Sequence, residues 1–412
     1  MSFNPVQLLH VALRQEDGER PVGRLAWVDR QILFEFDVAF LADPLPLSPA
    51  MLPARPGVHT EQKYVFEGLF GLFDDSLPDG WGRLLIDREV DRRGVGRQNL
   101  SPLDRLAFVG QDGAGALVYR PEITRDEAPT VLDLRALADE SRRVLEGDES
   151  SLFPELLMLG ESSGGARPKV LLAYHPKDGA LAVGQQALAP GFVSALVKFP
   201  ARSDPPDIGA IELAYARMAG AAGIDMAPTW LLGATKDQPG FFATQRFDRQ
   251  PRVHVHSAAG LLHASHRVPS MDYQDLLKAT RWLTRDQRAV DQLYRRMVFN
   301  VLAHNRDDHS RNFSYRMSPD GRWGLTPAYD LTFSSGPGGE HWMTVAGEGR
   351  APGTEHLLRV AAKVGVPDKR AKAVIDEVRA AVAQWARLAN EVGVSGASME
   401  RIGVVLRQAA GG

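Results

Sequence analysis

The hydrophobic period changes along the chain, and that change restricts what it can build. Residues 6–41 carry short β-rich runs, VQLLHVAL, GRLAWV and ILFEFDVAF, separated by polar or Gly-bearing turns. The stretch PLPLSPAMLPARPG follows; its prolines remove backbone donors, so it reads as a loop or an extended crossover. Over 65–93 the spacing turns helical, interrupted at 74–80, with Trp81, Leu84, Leu85 and Val90 at helical positions. This first unit closes near Arg120. A helix over 131–145 leads to a glycine cluster at 160–169. Strands at 169–174 and 192–199, a helix over 207–221, and the strand-like runs TWLLGA and GFFATQRF complete a mixed unit. Beyond 248, helical spacing dominates in DYQDLLKAT, in DQLYRRMVFNVLAHN and in one long run, KRAKAVIDEVRAAVAQWARLANEV. The pattern predicts an α+β protein in three pieces. These are a β-rich unit over 1–120, a small mixed lobe over 121–248 and a mainly helical lobe over 249–412.

Composition removes several function classes. The 48 basic and 51 acidic side chains leave a net charge of −3, which argues against a chain that binds nucleic acid alone by bulk electrostatics. There are no cysteines, so disulfides, thiol nucleophiles, Fe–S clusters and Cys-ligated zinc are excluded. No apolar run approaches the ~18 residues of a membrane span, and the first residues lack a basic leader with an apolar stretch. A cytoplasmic protein is expected.

The most informative segment is Asn305-Arg306-Asp307-Asp308-His309-Ser310-Arg311-Asn312, between an apolar helix and a hairpin, Phe313-Ser314-Tyr315 to Trp323-Gly324-Leu325. Arg306-Asp307, with Asn312 five positions after the aspartate, matches the R-D-x-x-x-x-N core of the protein-kinase catalytic loop. There the Asp faces the incoming hydroxyl and the Asn turns back toward a magnesium ion on the phosphates. Read alone, the segment also fits a helix end with a polar turn. Eighteen residues beyond Asn312, Pro327-Ala328-Tyr329-Asp330-Leu331 puts Asp330 where kinases carry a second metal-binding Asp. Magnesium takes one or two carboxylates beside substrate phosphates, and Asp330 with Asn312 would supply such a set.

Upstream, a strand ends in Lys198, and a helix follows with Glu212 near its beginning. A strand Lys supported by a helix Glu holds the α- and β-phosphates in protein kinases; the 14-residue spacing allows this without specifying it. Gly160 to Lys169 is a candidate phosphate loop, with Gly164 and Gly165 open to close backbone approach. On spacing alone a plain turn fits it better. His304, Asp307, Asp308 and His309 could suggest a metal hydrolase, but His304 and His309 are five apart and do not share a helix face. His254, His256, His263 and His266 read as solvated side chains of a polar loop rather than a metal cluster. Arg246-Phe247-Asp248-Arg249 is either a solvated charge run or a hinge.

These pieces stand in the serial order of a kinase site split between two lobes, and the chain resembles the HipA family, the serine/threonine kinase toxins of bacterial toxin–antitoxin systems. The resemblance rests on FDDSLPDGWGRLL, FVGQDGAGALVY, GESSGGARPK, LVKFP, TQRFDR, NVLAHNRDDHSRNFSY and LTPAYDL, in that order. It implies a two-lobed kinase-like fold with an added N-terminal subdomain, use of ATP and Mg²⁺, and phosphorylation of a serine in a protein target. Carried over by position, Lys198 is the nucleotide-binding lysine supported by Glu212, with Gly164 and Gly165 at the phosphates. Asp307 is the catalytic aspartate, and Asn312 and Asp330 are the metal ligands. Ser162, or its neighbour Ser163, is the autophosphorylated serine.

The resemblance also implies a small helix-turn-helix antitoxin of the HipB type as partner, with DNA met only through it, and no membrane. Family members of known target phosphorylate a glutamyl- or tryptophanyl-tRNA synthetase. A corepressor acting with the antitoxin, or a small-molecule kinase, are the alternative functions. Two stretches depart from the family: Gln245 stands where Glu is common, and HVHSAAGLLHASH replaces a more acidic version.

Overall fold

The computed structural model describes residues 4–61, 63–123, 132–160, 165–184, 188–269 and 271–410. The chain opens with β1 (Leu8–Gln15), β2 (Gly18–Val28), β3 (Gln31–Phe36), α1 (Val38–Ala42), β4 (Val58–Thr60), α2 (Gly71–Asp74), α3 (Gly80–Arg92), α4 (Pro102–Val109) and β5 (Leu117–Arg120). The strands form one antiparallel sheet in the order β4-β3-β2-β1-β5. Alternation places Leu9, Val11 and Leu13 in the core while Leu8 and His10 face out. α4 starts at a capping box between Ser101 and Asp104 with proline in its first turn. Asp104 also accepts the Val6 N–H at 2.7 Å, tying the helix to the start of the sheet. One expected strand is shorter than its apolar run. Asp37 accepts the Ala39 N–H at 2.8 Å and caps α1, so VAF leaves the strand as a helical turn.

Next come α5 (Leu134–Glu146), α6 (Phe153–Gly160), β6 (Lys169–Tyr174), β7 (Leu181–Ala182), β8 (Val193–Lys198), α7 (Ile208–Ala221), β9 (Thr229–Leu232) and β10 (Phe241–Gln245). This second antiparallel sheet has the order β7-β6-β8-β10-β9. Trp81 and Leu85 of α3 share its core with Leu156, Val170, Leu172, Val197, Phe199 and Phe241. The first unit thus supplies part of the second unit's interior.

The rest comprises β11 (His254–Ser257), α8 (Ala258–Leu262), β12 (Met271–Asp272), α9 (Tyr273–Thr284), α10 (Gln287–Leu302), β13 (Ser314–Met317), β14 (Trp323–Leu325) and β15 (Met343–Thr344). It ends with α11 (Thr354–Val364), α12 (Asp368–Val382), α13 (Trp385–Glu391) and α14 (Gly396–Ala410). The hairpin β13–β14 forms as its sequence suggests, and β11 joins it to make three strands. The expected long final helix is two, parted at Ala383 and Gln384. The break lets Trp385 turn inward, buried with its ring centroid 5.5 Å from that of Tyr215 in α7. α10 is buried through nearly all of its second half, and the Tyr215 hydroxyl donates to Ala303 O at 2.8 Å just past its end.

Two buried polar joints fasten the first unit to the others. Asp248 accepts the Gly115 N–H at 2.9 Å and pairs with Arg246 and Arg249. Arg249 also donates to the carbonyls of Asp112, Gly113 and Gly115. The sequence RFDR is therefore a clamp on the QDGAG turn, not a solvated run. In the second joint, His256 lies between Ser48 Oγ at 2.9 Å and Asp75 Oδ2 at 2.5 Å, and Ser257 donates to both oxygens of Asp75.

The histidines expected in solvent are thus largely buried in this interface. His254 bonds Leu47 O at 3.0 Å, and His263 lies 3.0 Å from Glu61 and accepts the Gly71 N–H at 3.2 Å. HVHS is a strand paired with β13 whose histidines meet the first unit, which no local pattern announces.

Candidate functional site

Lys198 ends β8, and Glu212 lies in the second turn of α7. The Lys198 ammonium donates to Glu212 Oε2 at 2.8 Å and to Asp330 Oδ1 at 2.5 Å. A strand, a helix and the segment after the hairpin thus meet at one nitrogen. Asp330 has a backbone φ of +53°, a left-handed conformation that a short polar side chain tolerates.

Antiparallel register sets Lys169 of β6 directly opposite Lys198, so both side chains leave the same face of the sheet. Both are buried. Two cations in one buried place need carboxylates beside them. Arg167 extends the cluster, donating to Glu212 Oε1 at 2.8 Å and to Asp204 Oδ1 at 3.0 Å.

The electrostatics follow from this packing. Burial opposes the charge on Lys198, but Asp330 and Glu212 outweigh it and raise the ammonium pKa. Burial also opposes ionisation of Asp330, yet Lys198 and Lys169 hold its carboxyl well below the usual range. For Lys169 burial prevails, and its pKa is lowered despite the nearby Asp330.

The loop after α10 presents two adjacent aspartates in opposite settings. Asp308 is buried and accepts from the Tyr273 hydroxyl at 2.7 Å and the Trp342 N–H at 2.9 Å, with His341 Nδ1 at 2.8 Å. Asn300 donates to the same tyrosine oxygen at 2.9 Å, and Asn305 to Asn300 at 2.9 Å. This network anchors the loop and leaves Asp307 on its outer side, 54% exposed and 3.9 Å from His309 Nε2. Asn312 closes the turn by donating its amide N–H to Asp307 O at 2.7 Å.

Lys198, Glu212 and Asp330 are therefore joined in one cluster, and Asp307 and Asn312 in another. The Gly165 N–H is already accepted by Asp79. Gly164, Ser162 and Ser163 lie outside the described residues. Among the described residues, no group of three or more His, Asp or Glu side chains is placed to hold a metal ion by itself. His304, just before that loop, stacks on Phe333 at 5.4 Å between ring centroids, and burial lowers its pKa to about 4.

The pattern of the family described as HipA-like C-terminal domain matches residues 161–386, more than half of the chain, and that of the HipA N-terminal domain matches 16–120. The chain belongs to the HipA family. Its fold agrees with that of a solved HipA, from the Shewanella oneidensis MR-1 toxin–antitoxin system HipA, HipB and operator DNA complex. The match has a TM-score of 0.68 at 18% identity and covers 98% of this chain and 96% of that one. The HipA fold, with a sheet-rich N-terminal part and a helical C-terminal region, is thus the architecture of this chain. A Helicobacter pylori proinflammatory kinase, CtkA, aligns at a TM-score of only 0.38 and 12% identity, over 53% of this chain and 86% of its own. No curated protein matches the sequence.

Within this HipA fold, sequence reasoning missed Arg167 and Lys169 as members of the lysine cluster. The signal was available: both stand at the end of the Gly160–Lys169 segment, and Lys169 opens the strand that pairs with the strand of Lys198. It also missed Asp79 and Arg311, whose contacts join segments far apart in the chain.

Proposed function

We propose that this HipA-family chain is an ATP- and Mg²⁺-dependent protein serine/threonine kinase that arrests growth as the toxin of a toxin–antitoxin pair. The observation that carries the reading is the Lys198 ammonium held jointly by Glu212 and Asp330. A lysine held charged at a strand end by two carboxylates suits contact with nucleotide phosphates as a point charge. The exposed Asp307 suits a base or orienting group for the incoming serine hydroxyl, whose proton it would accept as the phosphoryl group departs. Its buried neighbour Asp308 holds the loop still, and positioning is most of what phosphoryl transfer asks of a protein.

Asp330 and Asn312 carry the kind of hard oxygen donor that magnesium takes. Asp330 is held ionised, and Asn312, with its amide nitrogen engaged by the Asp307 carbonyl, has an amide oxygen to offer. Bound there, Mg²⁺ would neutralise charge on the β- and γ-phosphates. Gly164 and Gly165 belong to the loop over those phosphates, and Ser162 or Ser163 is the expected site of inactivating autophosphorylation. In this reading the lobes divide near residues 120 and 248.

The partner is a small helix-turn-helix antitoxin of the HipB type, through which DNA is met; the solved Shewanella complex contains HipA, HipB and operator DNA. The target is a serine of a cytoplasmic protein, an aminoacyl-tRNA synthetase being the class to try first. Among the described residues no helix is long and apolar enough to cross a membrane.

The test is calorimetry on Asp330→Asn, which keeps the left-handed backbone. Affinity for Mg²⁺·ATP should fall at least ten-fold more than affinity for metal-free ATP. Equal losses would make Asp330 a structural partner of Lys198 only.

A further inference from the structure

Resting on that kinase reading, we propose that Asp79 is a positioning residue that fastens the glycine loop to the catalytic loop. Asp79 precedes α3, but its side chain does not cap that helix. One carboxylate oxygen, Oδ1, accepts the Gly165 N–H instead. The other, Oδ2, lies 3.6 Å from Arg311 Nη1 and 3.8 Å from His266 Nε2. Arg311 is the residue before Asn312 in the catalytic loop. Its other terminal nitrogen donates to Asp74 O at 3.0 Å and Leu77 O at 2.8 Å. A single carboxylate thus spans two loops that belong to different lobes.

The backbone around it makes the joint close. The Trp81 N–H donates to Gly165 O at 3.0 Å, so Gly165 is gripped on both its N–H and its carbonyl. The Trp81 indole donates to Lys169 O at 3.0 Å, four residues further on. Gly80 has φ +37°, and a Cβ there would lie 2.5 Å from Ala166 Cα and 2.7 Å from Gly165 O. Only glycine lets the two chains cross this tightly. Asp79 and Arg311 are 18% and 14% exposed, so solvent screens their attraction only in part.

A glycine loop must be ordered before its N–H groups can meet phosphates, and a fastening made beforehand lowers that entropic demand. The segment 74–81 supplies the fastening from outside the kinase core. It also sets the distance between the glycine loop and the turn that carries Asp307 and Asn312.

The experiment is hydrogen exchange on the full chain without nucleotide, paired with kinetics. In Asp79→Ala, peptides covering 160–168 and 305–312 should exchange about ten-fold faster, the scale of one lost charged hydrogen bond, while those of β1 and β2 are unchanged. KM for ATP should rise by a similar factor with kcat falling less. Arg311→Lys, which keeps the charge but loses the forked donor, should also loosen the 160–168 peptides, where the Gly165 N–H is held by Asp79. It also serves if Asp79→Ala fails to fold.

Unchanged exchange at 160–168 in either folded variant overturns the proposal, as does a uniform rise across the first unit. Exchange reads the link without catalysis. If the wild-type chain transfers no phosphate but both loops loosen together, the kinase reading falls and the link stands.

Discussion

Lys198 and Asp330 stand 132 residues apart in sequence and 2.5 Å apart in space. With Glu212 at 2.8 Å, the lysine bonds the carboxylates of two separate segments, and each holds it charged. This pairing ties the sheet of the small lobe to the segment that follows the hairpin of the large one.

Removing the lysine leaves carboxylates that were folded around it. Lys198 and Glu212 are 10% and 4% exposed, so Lys198→Met should destabilise the nucleotide-free protein by about 2–4 kcal/mol. Asp330→Asn added to it should restore part of that loss, because Glu212 keeps Arg167 beside it while Asp330 loses its hydrogen-bonded cation. Urea unfolding of the single and double variants checks this; strictly additive losses would mean that the pair is not coupled.

Asp74 gives a pH dependence of the less common sign. Burial pushes its carboxyl up to about 6, with Asp75 and Asp79 adding to the push and Arg311 opposing it. The folded pKa lies above the unfolded value of ~3.9, so between about pH 4 and pH 6 the native state binds more protons. Its contribution therefore falls as pH rises through that window and stays unfavourable above it. Asp74→Asn should stabilise the protein by about 2 kcal/mol at pH 8 and by almost nothing at pH 4. Urea midpoints at the two pH values check the difference, and an equal shift at both would contradict it.

The Ser48–His256–Asp75 joint is sealed from solvent, which makes it a fastener and not a hydrolytic triad. Burial is the largest influence and works against the Asp75 carboxylate, but His256, Arg311 and Ser257 together outweigh it and lower the pKa. His256→Ala should cost about 2–4 kcal/mol by stranding that carboxylate, and Ser48→Ala about 1 kcal/mol. Thermal melts rank the two; a larger effect at Ser48 would misassign the joint.

Much of this was legible in the sequence because it is local. Lys198 at a strand end, Glu212 in the following helix and Asp307 with Asn312 in a loop each follow from spacing near themselves. The Asp248 clamp and the four histidines were not legible. Their partners are Gly115, Leu47, Ser48, Asp75, Glu61, Gly71 and Asp79, in a unit folded from the first 120 residues. A polar residue that pairs across such a distance looks the same in sequence as one that faces water. Lys169 joins the lysine cluster through strand register, which long-range packing sets. Short-range capping also overrode apolar runs, at Asp37 before α1.

The central claim is phosphoryl transfer with Asp307 as its catalytic aspartate, and the direct measurement is transfer of labelled γ-phosphate from ATP in a cell extract. Asp307→Asn keeps the shape and removes the charge from a residue that is more than half exposed, so folding should be untouched. The intact chain should label a protein on serine in the presence of Mg²⁺, and the variant should still bind ATP while labelling falls by at least 100-fold, the scale of general-base catalysis. Equal labelling by the variant, or none by the intact chain, would contradict the account.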